Sequence, residues 1–215
     1  MQIEWGKVEA VILDLGGVIL DIDYHKTVEA FVNLDFDNFG ELYSQLQQDG
    51  LFDQLETGAI TGHEFIKRIQ KEIPHRSALE IEAAWNAIIL AFPEGRLETL
   101  NRIKKQYRSF LLSNTNEIHL KFFNSLLHTK HGHHNLGPFF NKLYLSHEIQ
   151  LRKPNHEAFE IILEEQGLSA DQVLFVDDST QHIESARILG MQAYHLWDGE
   201  TLEECLQREW IEELN

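Results

Sequence analysis

The sequence predicts a doubly wound α/β domain built on a parallel sheet, with a small helical unit inserted after the first strand. Three observations lead there. Short runs, apolar at every position, recur along the chain and each stops abruptly at polar residues. Segments with helical spacing lie between those runs. One long stretch, residues 23–93, carries helical spacing alone. Continuous apolar runs mark strands buried on both faces, and strand–helix alternation makes the sheet parallel.

In chain order, the first run is Val11-Ile12-Leu13, which ends at Asp14 and is followed by Gly16-Gly17. The insert then presents Val28-Ala30-Phe31, Phe65-Ile66-Ile69 and Ala84-Trp85-Ile88-Ile89 at helical spacing, and no strand is expected within it. Gly50, Gly58 and Gly62 break it inside, and Pro93 with Gly95 punctuates its exit. It reads as a lid over the carboxyl edge of the sheet, hinged near Asp21 to Tyr24 and near Pro93. Residues 1–22 and 94–215 are then the core, and 23–93 the cap.

The second run, Phe110-Leu111-Leu112, ends at Ser113-Asn114, and the third, Leu143-Tyr144-Leu145, at Ser146-His147. A helix over 155–166 follows, with Pro154 at its start and Gly167 as its stop. The fourth run, Val173-Leu174-Phe175-Val176, ends at Asp177-Asp178. Ser179 then caps a helix carrying Ile183, Ala186 and Leu189, which Gly190 ends. Residues 200–212, with Leu202, Leu206 and Trp210, read as an amphipathic terminal helix. In open α/β sheets ligands bind outside the carboxyl ends of the strands, which is where the polar residues fall here.

Composition narrows the function. Thirty-five acids against 18 Lys and Arg give a net charge of −17, which repels nucleic-acid phosphates and anionic membranes alike. An anionic substrate must therefore be met by a few local cations or by a metal. The single cysteine, Cys205, excludes an internal disulfide and suits a reducing compartment. The first apolar stretch is interrupted by Asp14 and preceded by Glu4 and Glu9, unlike a signal peptide, and no run approaches the roughly 20 apolar residues of a membrane span. A cytoplasmic protein is expected. The Gly-rich loops that would hold a nucleotide cofactor are missing.

The strand ends carry the chemistry. The Gly16-Gly17 turn is expected to leave the Asp14 side chain exposed in a crevice, an ionised carboxylate able to act as nucleophile or metal ligand. Asp177 and Asp178 repel each other unless a divalent cation sits with them, one as direct ligand and the other through water. Hard oxygen ligands that leave room for water and phosphate suit Mg²⁺. Lys153, in Leu151-Arg152-Lys153-Pro154, offers a compact ammonium for a phosphate, and Ser113 with Asn114 offers a hydroxyl and an amide. Each residue alone has an ordinary explanation as a turn, a cap or a solvated side chain.

Together and in this order they resemble the haloacid dehalogenase superfamily, in the branch whose helical cap follows the first strand of a Rossmann-like core. Ala10-Val11-Ile12-Leu13-Asp14-Leu15-Gly16-Gly17-Val18 resembles its nucleophile motif, Leu111-Leu112-Ser113-Asn114-Thr115-Asn116 the second, Arg152-Lys153-Pro154 the lysine motif, and Phe175-Val176-Asp177-Asp178-Ser179 the acidic motif. Within the family these strings are similar to bacterial sugar-1-phosphate phosphatases and to the phosphatase domain of soluble epoxide hydrolase. The resemblance implies a phosphatase of small phosphorylated metabolites, such as a sugar phosphate, working through a phosphoaspartyl intermediate. Asp14 would attack phosphorus. Asp14, the Gly16 carbonyl and Asp178 would hold Mg²⁺, with Asp177 beside them. Ser113 and Asn114 would grip the phosphoryl group, and Lys153 would neutralise its charge.

Three positions depart from the family pattern. Phosphatases of the family carry a second Asp two residues after the nucleophile, to protonate the leaving group, and here that position is Gly16. Asp21, Asp23 and the cap's Glu56 are candidates for the role; otherwise the substrate has a good leaving group, or the chain only binds a phosphate ligand. His182 stands where many members have Asp or Asn, and Gln150 replaces a frequent Gly. Dehalogenases of the family also lack the second Asp, but they use no metal and need no acid pair, so Asp177-Asp178 argues for metal and phosphate. The cluster of His128, His131, His133 and His134 is read as a solvated loop rather than a zinc site, and Trp5, Trp85, Trp197 and Trp210 as packing residues.

Overall fold

The computed structural model describes residues 3–36, 39–40, 50–197 and 199–210, the side chains of 207–210 excepted. The apolar runs form strands, as burial on both faces demands. They are β1 (Ala10–Leu13), β4 (Arg108–Ser113), β5 (Lys142–Leu145) and β6 (Val173–Asp177), with two short strands β2 (Asp21–Ile22) and β3 (Ile89–Ala91) after β1 and β7 (Gln192–His195) after β6. The main sheet has the order β5-β4-β1-β6-β7 and every pairing in it is parallel. Ile12 lies between Phe110 and Phe175 in register. Strand order reverses about β1, so the crevice between the carboxyl ends of β1 and β6 is the switch point where such sheets bind ligands.

Helices α1 (Tyr24–Val32), α2 (Leu51–Glu56), α3 (Gly62–Glu72) and α4 (Ala78–Asn86) occupy the insert. Thr61 with Glu64 and Ser77 with Glu80 form capping boxes that start α3 and α4, satisfying backbone N–H groups that the first turn leaves unpaired. Phe31, Phe52, Phe65 and Trp85 build a separate apolar core there, with the Phe52 and Trp85 rings stacked 5.4 Å apart. One expectation fails in this region. β3 is a strand inside the insert and pairs antiparallel with β2, so Ile88 and Ile89 lie beyond the end of α4 rather than on it. Three residues are too few to show strand alternation.

The remaining helices are α5 (Arg96–Gln106), α6 (Glu117–His131), α7 (Ser146–Ile149), α8 (Glu157–Gln166), α9 (Thr180–Ile188) and α10 (Leu202–Trp210). α8 begins at Glu157, later than the sequence suggests, and Gly167 ends it at φ +63°. Leu202, Cys205 and Leu206 pack into the core, and Glu203 accepts a 2.8 Å hydrogen bond from the buried Arg96. The Trp210 side chain lies outside the described residues. Trp197, expected to pack, is 65% exposed. No described helix is long and apolar enough to cross a membrane.

Candidate active site

Asp14 follows β1 directly, its N–H donating to the Val176 carbonyl of β6. Its side chain stands at the base of a cavity of about 670 Å³ and is nearly buried, more enclosed than a residue at a turn would suggest. Lys153, fully buried, donates from Nζ to Asp14 Oδ1 at 2.5 Å and to Asp177 Oδ2 at 2.6 Å. Asp177 Oδ1 accepts from the Ser179 N–H at 2.8 Å, and His182 Nδ1 lies 3.0 Å from both Asp177 oxygens. Ser179 thus begins α9 with its main chain, and its side chain makes no cap. Asp178 is exposed beside the cavity. Gly17 makes room for it: with φ +73°, a Cβ at Gly17 would overlap Asp178 Oδ2.

Each residue of the Ser113-Asn114-Thr115-Asn116 string has a distinct place. Ser113 lines the cavity. Asn114 clasps the Lys153 backbone, donating to its carbonyl at 2.8 Å and accepting from its N–H at 2.9 Å. The Thr115 main chain exchanges two hydrogen bonds with the Ser146 hydroxyl. Asn116 caps α6 by accepting from the Ile118 and His119 N–H groups.

Oxygens of Asp14, Asp177 and Asp178 lie within 4.8 Å of one another, the one such potential metal-holding group among the described residues. An all-carboxylate donor set open to a cavity suits Mg²⁺. Both oxygens of Asp177 are already engaged, which leaves Asp14 and Asp178 facing the opening.

The haloacid dehalogenase-like hydrolase family matches residues 8–190. The chain belongs to this family. It is similar to D-ribitol-5-phosphate phosphatase of Bacteroides thetaiotaomicron, 28% identical over 193 residues that span 89% of this chain and 93% of that one. Among solved structures it resembles the HAD family enzyme BT-2542 of Bacteroides thetaiotaomicron in complex with magnesium and inorganic phosphate. That likeness has a TM-score of 0.84 at 33% identity, covering 92% of this chain and 98% of that chain. A HAD-like family hydrolase of Porphyromonas gingivalis is also similar, with a TM-score of 0.83 at 25% identity over 94% and 97% of the two chains.

The charges of this HAD-like hydrolase are arranged around Lys153. Burial pushes the Asp14 carboxyl up, to about 7, against the pull of Lys153 and with the push of Asp177 and Asp178. Burial acts the same way on Asp177, but Lys153 and His182 outweigh it and hold that carboxyl at about 2. Asp178 is raised by burial and by Asp177. Burial works against the Lys153 charge, yet Asp14 and Asp177 hold its pKa above the usual lysine value.

The cavity is also lined by side chains the sequence did not single out for it. Trp85, read as cap packing, lines it, as do Ile88 and Tyr24 of the insert and His119 of α6. His119 lies stacked on Trp85, with Nε2 3.2 Å from the Trp85 carbonyl and Nδ1 3.1 Å from Asn116 Nδ2. A lone His in a helix gives no signal of this. Arg152 lines the cavity and pairs with Asp53 and Glu56 of α2; its position next to Lys153 was its only sequence signal. Asp21 and Asp23 do not line the cavity, and Asp23 instead caps α1 by accepting from the His25 N–H. His128 and His134 stack on each other at 4.5 Å, and His131 and His133 meet the edges of Phe92 and Phe139. His128 and His131 belong to the last turn of α6 rather than to a loop.

Proposed function

We propose that this HAD-like hydrolase is a Mg²⁺-dependent phosphatase of a small phosphorylated metabolite, a sugar or polyol phosphate, acting in the cytoplasm. The observation that carries this reading is the contact of Asp14 with the buried Lys153 at the base of a cavity that Asp178 also lines. A protein that only binds has no use for a carboxylate so enclosed. The phosphatase named above, similar over nearly its whole length, acts on a polyol phosphate.

Asp14 attacks phosphorus in line, forming an aspartyl phosphate that water then hydrolyses. Lys153 holds Asp14 in place and offsets the charge of the arriving phosphoryl group, which is what allows one anion to approach another. Asn114 fixes the Lys153 main chain, and Asp177, steadied by His182 and the Ser179 N–H, fixes the ammonium. Ser113 offers its hydroxyl to the phosphoryl oxygens. Asp14, Asp178 and the Gly16 carbonyl would hold Mg²⁺, which supplies further charge neutralisation at those oxygens. Closure of the cap keeps bulk water out.

The test is hydrolysis of ribitol 5-phosphate and p-nitrophenyl phosphate with Mg²⁺ or with EDTA. Turnover that needs the metal and falls to the buffer rate in Asp14→Asn is expected. Substantial hydrolysis by that variant would remove Asp14 as nucleophile. Release of chloride from a 2-chloroacid without metal would favour the dehalogenase reading instead.

A further inference from the structure

A phosphate ester with an alkyl leaving group needs a proton on the departing oxygen, and this chain has Gly16 where the family pattern would put a carboxyl, two residues after the nucleophile. A Cβ at Gly16 would sit 3.0 Å from Ile22 Cδ1, so a side chain there would press on the tip of an apolar neighbour. The acid must come from another wall of the cavity.

Among the described residues, three carboxylates line that cavity: Asp14, Asp178 and Glu56. The first two are taken by attack and by metal. His119 is engaged by both ring nitrogens, with the Trp85 carbonyl and Asn116, and His182 is held through Nδ1 against Asp177. Glu56 ends α2, on the side of the cavity opposite the sheet. Its Oε2 is shielded from solvent and accepts no hydrogen bond of good geometry, although Arg152 Nη2 lies 2.8 Å away. A buried carboxylate oxygen whose ion pair lacks hydrogen-bond alignment can still take a ligand hydroxyl or a proton. The backbone around it is fixed. Gly58, at φ +68°, lies so close to the His147 carbonyl of α7 that a Cβ would overlap it. Arg152 ties both Asp53 and Glu56 to the loop that carries Lys153.

We infer that Glu56 of the cap protonates the leaving oxygen in place of the carboxyl that Gly16 lacks. The inference rests on the phosphatase reading. In the first half-reaction Asp14 Oδ bonds to phosphorus and the bond from phosphorus to the alkyl oxygen breaks. That oxygen takes the Glu56 proton and leaves as the alcohol. In the second, water gives a proton to the Glu56 carboxylate as its oxygen attacks phosphorus. The bond between Asp14 and phosphorus breaks, which returns both carboxyl groups to their starting states. Burial raises the Glu56 carboxyl above its ordinary value, against the pull of Arg152.

The test compares kcat of the unaltered enzyme and of Glu56→Gln, with Mg²⁺, on ribitol 5-phosphate and on p-nitrophenyl phosphate. Nitrophenolate departs without a proton, so the two substrates respond differently to loss of an acid. Glu56→Gln is expected to lower kcat by about 10²–10⁴ on the alkyl ester and by less than about tenfold on the aryl ester. Glu56→Asp, which keeps a carboxyl, is expected to recover part of the alkyl rate. Equal losses on the two substrates, or a raised KM with kcat unchanged, would overturn the assignment and leave the phosphatase standing. An Asp variant no faster than the Gln variant on the alkyl ester would overturn it as well. If the unaltered enzyme turns over neither substrate, the phosphatase reading falls and this assignment falls with it.

Discussion

Lys153 shows how one buried side chain can decide the state of its neighbours. It is fully buried and faces two carboxylates, so its charge compensates both Asp14 and Asp177, the latter together with His182. Removing one partner of a buried ion pair leaves an uncompensated charge and typically costs about 3–5 kcal/mol. Lys153→Met should therefore lower the melting temperature in EDTA by roughly 2–4 °C for each kcal/mol lost. Scanning calorimetry checks this, and a change within a degree would mean that the two carboxylates are already neutral. Gln150 is a smaller case at the same scale. A Gly is frequent there in the family pattern the chain resembles, and the structure shows why one fits: the φ of Gln150 is +60°, a conformation that an L side chain adopts at a cost of about 1–2 kcal/mol.

Single elements made the sheet readable and the cap opaque. β1, β4 and β6 are covered on both faces, so their central residues are apolar, and polar side chains appear toward the strand ends. That constraint wrote Asp14, Ser113, Asp177 and Asp178 into visible positions. β7 is an edge strand with half-buried Tyr194 and His195, and it left no comparable run. Helical spacing in the cap identifies a buried face without saying what it meets, which is why Trp85 read as packing alone and Glu56 as one candidate among three. α6 illustrates what such a face can hide. The fold keeps the His119 imidazole neutral, its pKa lowered to about 4 by burial. The unfolded chain takes up a proton below about 6.5, so this contribution is complete above that pH and is lost as pH falls toward 4. The loss is on the order of 2–3 kcal/mol at pH 4. Urea unfolding at pH 7 and at pH 4.5 should show a smaller acid-dependent loss in His119→Gln than in the unaltered protein. Equal losses would show that His119 takes no part in acid sensitivity.

Across the whole molecule, the insert meets the sheet domain around α2, at the start of α3 and where Trp85 stacks on His119. Gly58 rests on the His147 carbonyl, Arg152 reaches Asp53 and Glu56, and the Gly62 N–H donates to Glu117 at the start of α6. Gly58→Ala puts a side chain where none fits and should undock this end of the cap while sparing the sheet. Hydrogen exchange is expected to quicken in residues 51–58 and stay unchanged in β1, β4 and β6, because local opening follows local contacts. Uniform loss of protection would mean that cap and core unfold as one unit. The pairing of β2 with β3 carries a broader meaning. Asp21 and Ala91 are partners across that ribbon, so the chain leaves the core and rejoins it at one place. A cut there could be sealed by a hairpin turn of about two residues without disturbing the order of the five strands. Descent with modification can thus graft one helical module in place of another at a single seam without breaking the sheet, and a newcomer would have to bring its own carboxyl where Glu56 now stands.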